Sequence, residues 1–169
     1  MDLTVSSLKQ LAESEASGSL QLSPFESDIL HHLTEALSNS AQLNTAGVSF
    51  HHQRLLDILK NRIAIEQWVA KFPEINDEHI DDPIIVVGLP RTGTTLLHRT
   101  IAADSRLLAP LWYEVRNPVP LAESFVERDD RIPKAEAEVA AILSASPELA
   151  AIHPMDATAP DEEIMLLEH

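Results

Sequence analysis

Gly88-Leu89-Pro90-Arg91-Thr92-Gly93-Thr94-Thr95 is the segment whose residue types and spacing point most directly to chemistry. Its glycines stand at the Gly-x4-Gly spacing of a loop that wraps phosphate between a strand and a helix. Glycine lets the backbone curl so that successive N–H groups face inward, and the helix that follows adds the positive end of its dipole. Thr92, Thr94 and Thr95 bring hydroxyl donors to the same mouth. An ordinary tight turn would need none of this, and the flanks favour the functional reading. Pro83 precedes the β-branched run Ile84-Ile85-Val86-Val87, and Leu97 and Ile101 recur at helical spacing after Gly93.

The position of the cation narrows the ligand. A triphosphate loop places Lys directly after the second Gly, where it reaches the β- and γ-phosphates. Here Thr94 holds that position and Arg91 lies inside the loop instead. A cation there suits a ligand with a short anionic tail, which favours a phosphosulfate over a triphosphate. The alternative is a P-loop kinase or nucleotide hydrolase, which needs Mg²⁺ ligands and a Lys on the γ-phosphate.

The elements that position this loop divide the chain. Residues 1–80 read as a helical N-terminal region. Leu8 and Leu11 begin a short pattern that stops near Gly18. Ser23-Pro24-Phe25-Glu26 combines an N-cap, a Pro at the first helical position and a Glu placed to close a capping box. Phe25, Ile29, Leu33 and Leu37 continue at helical spacing, and a third helix is expected from Ser49 to Phe72, ended by Pro73. Its stripe is Leu55, Leu59 and Ile63, with Ile58, Ile65, Val69 and Phe72 beside it. Residues 81–169 read as an incomplete α/β domain. Ile84–Val87 suits a strand buried on both faces of a parallel sheet, and Leu107–Tyr113 suits a second strand, weakened by Pro110. Helices are expected over Arg131–Ser146 and from Asp161 to Leu167. One or two strands cannot make a doubly wound sheet, so the sequence reads as a truncated chain or partial reading frame.

Composition sets the outer bounds. With 169 residues and 44% hydrophobic content the chain can bury a core. Twelve Lys and Arg against 27 Asp and Glu give a formal charge of −15, which repels a phosphate backbone and argues against nucleic-acid binding. No apolar run approaches a membrane span, no signal peptide is recognisable, and Cys is absent. A cytoplasmic protein is the expectation.

Residues 83–99, Pro-Ile-Ile-Val-Val-Gly-Leu-Pro-Arg-Thr-Gly-Thr-Thr-Leu-Leu-His-Arg, resemble the 5′-phosphosulfate loop of the bacterial branch of the sulfotransferase family. Trp112-Tyr113-Glu114, Asp130-Arg131-Ile132, and His153-Pro154 followed by Pro160-Asp161-Glu162-Glu163 extend the resemblance over about residues 83–168. It implies a P-loop fold of the nucleoside-kinase-like parallel-sheet type. The implied reaction moves a sulfuryl group from 3′-phosphoadenosine 5′-phosphosulfate to a hydroxyl or amine of a small-molecule, lipid or carbohydrate acceptor, without a metal. Carried over by position, Arg91, Thr92, Gly93, Thr94 and Thr95 would hold the 5′-phosphosulfate. Many family members have Lys and Ser where this chain has Arg91 and Thr92. Arg keeps the charge without readily yielding a proton, so an electrostatic role on the bridging oxygen is expected. The family places its 3′-phosphate contacts further along the chain than these residues reach, so weak or no donor binding by the isolated chain is expected. A non-catalytic fragment of the fold is the further alternative.

Sulfuryl transfer also needs the acceptor proton removed. Glu114 is the candidate base, since a strand at Leu107–Tyr113 would bring it to the carboxyl edge where ligands sit, and the resemblance implies an acidic or His base nearby. A solvated loop Glu is the competing reading. His153 is the second candidate, to contact the donor or orient the acceptor, against a loop His preceding a Pro. The pairs His31-His32 and His51-His52 cannot each share one metal, because neighbours on a helix point about 100° apart. Arg99 and His98 could each touch a donor phosphate but read rather as a solvent-facing turn, and Asp161-Glu162-Glu163 as acidic residues at a helix start. Trp68 is expected to pack, and Trp112 to pack or to line an acceptor pocket.

Overall fold

A computed structural model describes residues 2–89, 91–120 and 129–169. The chain divides into two compact units, Met1–Asp77 with His169, and Glu78–Glu168. Among the described residues no helix is long and apolar enough to cross a membrane.

The first unit is helical because its caps and apolar spacing agree. Helix α1, Val5–Ala16, starts where the Thr4 hydroxyl accepts from the Ser7 N–H and ends at Ser17, which takes a left-handed conformation. Gly18 follows with no space for a side chain, since an added Cβ would meet Ile63 Cγ2 at 2.4 Å. Helix α2, Pro24–Asn39, begins with the full capping box: Glu26 N–H donates to Ser23 Oγ at 3.2 Å, and Ser23 N–H donates to Glu26 Oε2 at 2.7 Å. Helix α3, Thr45–Lys71, starts four residues earlier than the apolar spacing alone predicts, because Asn44 caps it through the Gly47 N–H at 2.8 Å. Leu3, Leu8, Ala12, Leu20, Leu30, Leu55, Leu56, Leu59 and Ile63 form the shared core. On α2 the buried residues are Leu30 and Thr34, whereas Phe25, Ile29 and Leu33 are 74%, 50% and 43% exposed. Trp68 packs on Phe72 with ring centroids 5.0 Å apart.

The second unit carries helices α4 (Thr94–Ala102), α5 (Trp112–Arg116), α6 (Arg131–Ala145) and α7 (Leu149–Ile152), and a 3₁₀ segment over Glu163–Glu168. Its core joins Trp112, Ala135, Val139 and Ala157, with Tyr113, Ile142, Leu143, Met155 and Met165 packed against them. Trp112 is thus a core residue. The last expected helix forms only as the 3₁₀ turn.

The expected parallel sheet is not present, and no strand occurs among the described residues. Ile84, Ile85 and Val87 are 60%, 71% and 87% exposed, with no strand partner among the described residues. β-branched residues favour a strand only through packing on a sheet, so their preference alone makes none. Leu107–Tyr113 fails for a different reason. Leu107 N–H is spent in a turn on the Asp104 carbonyl, Pro110 has no N–H, and Leu111 N–H donates to the Glu114 carboxylate. Trp112 then enters α5. What remains among the described residues is an isolated antiparallel bridge, Leu111 with Pro160.

Replacing the fully buried Leu8 by Ala should remove about 2–5 kcal/mol of stability. Chemical denaturation followed by helical circular dichroism measures this; a change under about 0.5 kcal/mol would show that the α1–α3 core is not the stabilising element.

Candidate functional site

The loop is shaped by two glycines with separate tasks. At Gly88 there is no room: an added Cβ would lie 2.6 Å from Thr94 Cγ2 and 2.9 Å from Thr92 Oγ1. At Gly93 there is room, but φ is 90°, a conformation that L side chains avoid. Gly88 lets the loop fold back on the start of α4, and Gly93 turns the chain into that helix. The Thr92 hydroxyl closes the loop by donating to the Leu89 carbonyl at 2.7 Å. Arg91 is also left-handed, with φ 68°, and is exposed.

No side chain caps α4. Its first closed turn is the Leu97 N–H on the Gly93 carbonyl at 3.0 Å, which leaves the amides of Thr94, Thr95 and Leu96 without intrahelical acceptors. Those amides and the helix dipole make an anion-accepting mouth. The Arg91 guanidinium, three residues before Thr94, donates through Nη1 to the carbonyl of Ile152, at the end of α7 and next to His153. His153 itself is half-buried, in the β region required before Pro154, with its N–H donating to the Leu149 carbonyl at 2.7 Å. The structure therefore brings Arg91 and the residue beside His153 together.

Glu114 is not a loosely solvated loop residue. It lies in the first turn of α5, where its Oε2 accepts from the Leu111 N–H at 2.8 Å and its Oε1 from the Tyr113 hydroxyl at 3.3 Å. The carboxylate is thereby fixed in direction. Tyr113 sits below the Arg131 guanidinium, 5.0 Å from the ring centroid. Burial first, and then the nearby Glu114 charge, raise the Tyr113 pKa, so the phenol stays protonated. Arg131 in turn holds Asp129 with hydrogen bonds at 2.6–3.0 Å, and these lower the Asp129 pKa. That contribution to stability is present above the ordinary carboxylate pKa and is lost as pH falls through the lowered one. Arg131 also donates to the Asn117 carbonyl at 3.1 Å and Lys134 to Asn117 Oδ1 at 2.6 Å, while Arg116 pairs with Glu138 at 2.8 Å. The α5–α6 contact is polar around its apolar centre.

One group that the sequence pattern passes over is Arg99. Its guanidinium is bound to the protein rather than free in solvent: Nε donates to the Pro160 carbonyl at 3.2 Å and Nη2 to the Pro154 carbonyl at 3.0 Å. Asp161, buried rather than a solvated helix start, stands 3.9 Å from the same Nη2. The segment so held runs antiparallel to the start of α5. Trp112 N–H donates to the Ala159 carbonyl at 3.0 Å, Tyr113 N–H to Ala157 at 3.1 Å, and Asp161 N–H to Pro110 at 3.1 Å. Only a spatial neighbour 55 to 61 residues away identifies Arg99, so periodicity offers no sign of it. Among the described residues no group of three or more His, Asp and Glu could hold a metal ion.

A model of the sulfotransferase family matches residues 83–169, slightly more than half of the chain. The chain belongs to the sulfotransferase family. Two solved structures are also similar to it. Sulfotransferase STF1 from Mycobacterium tuberculosis has 26% identity and a TM-score of 0.79, over 98% of this chain and 47% of that one. Sulfotransferase STF9 from Mycobacterium avium, at 23% identity and a TM-score of 0.77 over 97% of this chain and 43% of its own, is alike in fold. This sulfotransferase-family chain therefore spans about half the length of either. No curated protein sequence matches it.

Gly93→Ala should destabilise the start of α4 by about 1–2 kcal/mol through the left-handed backbone alone, since no contact obstructs the new methyl. Hydrogen exchange at the Leu97 amide reports this directly, and unchanged protection would refute the conformational role given to Gly93.

Proposed function

We propose that the chain carries the 5′-phosphosulfate site of a sulfotransferase that uses 3′-phosphoadenosine 5′-phosphosulfate. The acceptor would be a hydroxyl or amine of a small molecule, lipid or carbohydrate. The observation that supports this most directly is the loop itself. Gly88 packed on Thr92 and Thr94, with Gly93 at a φ of 90°, opens the uncapped N-terminus of α4 inside a family-matched segment. In this reading residues 1–80 are a helical region and residues 81–169 the donor-binding domain of a cytoplasmic enzyme without nucleic-acid partners.

The chemistry follows from the groups at the mouth. The acceptor oxygen attacks sulfur, the bond from sulfur to the bridging oxygen breaks, and its electron pair stays on the departing phosphate oxygen. Negative charge grows at that oxygen. The amides of Thr94 and Thr95 and the permanent charge of Arg91 are suited to meet it, with the hydroxyls of Thr92, Thr94 and Thr95 beside them. To do so Arg91 exchanges the Ile152 carbonyl for the donor. The acceptor proton passes to Glu114, whose carboxylate is held by Leu111 and Tyr113, and His153 orients the acceptor or contacts the donor.

Arg91→Ala should weaken binding of adenosine 3′,5′-bisphosphate by about tenfold or more, as a charge-assisted contact is lost. Calorimetric titration of a complete protein carrying this segment measures this, and unchanged affinity would sink the donor-site assignment.

Glu114→Gln separates base from cap. The Gln carbonyl oxygen still accepts from the Leu111 N–H, so the melting temperature should hold while kcat falls by about 10²–10⁴. A variant that retains full turnover would leave Glu114 as a helix cap and nothing more.

A further inference from the structure

Between the end of α4 at Ala102 and the start of α5 at Trp112 the chain forms no regular secondary structure. The covalent path from Gly93 to Glu114 therefore fixes no distance between the phosphate loop and the base. A side chain does so instead. We propose that Arg99 is a positioning residue that holds Glu114 in register with the loop, acting through residues 154–161 without touching donor or acceptor. The inference rests on the reading of Glu114 as base.

The geometry forms a continuous path. Gly93 begins α4, and Arg99 stands on the same helix with its side chain 26% exposed. Its guanidinium ties down both ends of the 154–160 stretch, through Nη2 on Pro154 and Nε on Pro160. Pro160 bridges to Leu111, and Ala159 and Ala157 accept from Trp112 and Tyr113. Leu111 N–H then grips the Glu114 carboxylate at 2.8 Å. Each step is a hydrogen bond or one helix, so a shift of α4 carries the base with it.

The residue type fits the task. Two carbonyls six residues apart must be met at once, and a planar guanidinium presents donors in a fixed fork that reaches both while its charge lies 3.9 Å from the buried Asp161 carboxylate. Asp161 completes the arrangement. Its Oδ1 accepts from the Glu162 N–H at 2.8 Å, and its buried Oδ2, without a hydrogen-bond partner, lies 3.9 Å from the Arg99 guanidinium, whose charge offsets it. A Lys at 99 would keep the charge near Asp161 but could not span Pro154 and Pro160.

The test compares Arg99→Ala with the unaltered chain in two measurements. In hydrogen exchange, the amides of Trp112, Tyr113 and Asp161 should exchange about tenfold faster or more, while those of α6 keep their rates. In turnover with 3′-phosphoadenosine 5′-phosphosulfate, kcat should fall about 10²-fold with donor affinity within about twofold. Unchanged exchange at these three amides overturns the proposal. So does a loss of donor affinity that parallels the loss of kcat, because Arg99 would then be a donor contact. If Arg99→Ala does not fold, Arg99→Lys decides, with faster exchange at the same amides expected and wild-type rates counting against the proposal. A complete protein carrying this segment that neither binds nor uses the donor refutes the sulfotransferase reading instead, and the exchange comparison still decides whether Arg99 sets the register of the Glu114 segment.

Discussion

Three hydrogen bonds join residues 110–113 to residues 157–161: Trp112 to Ala159, Tyr113 to Ala157 and Asp161 to Pro110. The rest of the second unit is referred to this short pairing. It places Trp112 and Ala157 side by side, and α6 closes over them with Ala135 and Val139. It gives Leu111 the position from which its N–H holds Glu114, and it presents the Pro154 and Pro160 carbonyls to α4. Backbone groups removed from water must be paired, and here a side chain completes what a sheet would otherwise supply.

The phosphate-type loop depends on a more local constraint. Gly88 is required by proximity and Gly93 by its dihedral angle, and either requirement follows from a glycine's lack of Cβ. A sequence displays such constraints openly, because they act within six residues. For the same reason the helix starts were legible. The Ser23–Glu26 box, the Pro at the opening of α2 and the stop at Pro73 each act over three or four residues.

What could not be read was set by partners distant in sequence. Ile84–Val87 has the composition of a buried strand, yet composition states a preference that only a neighbouring chain can satisfy. Leu107–Tyr113 lost its donors to a turn, a proline and a carboxylate, and became a bridge followed by a helix. On α2 the periodic residues Phe25, Ile29 and Leu33 lie exposed and Leu30 enters the core, since period identifies a stripe without saying what it meets. Arg99 and Asp161 are the sharpest case. Each looked like surface charge, and each is fixed by a residue more than fifty positions away.

The carbonyls of Pro110, Pro154 and Pro160 all serve as acceptors in this unit. Proline suits that duty because it brings an acceptor without a donor that would also have to be satisfied in a confined space. Its ring also narrows the angles open to the unfolded chain, so less freedom is lost when each carbonyl is aimed. The residue that spoils a strand here thus acts as a pre-set hydrogen-bond post. A segment with almost no regular structure can then be as firmly directed as a helix, at three points rather than along its length.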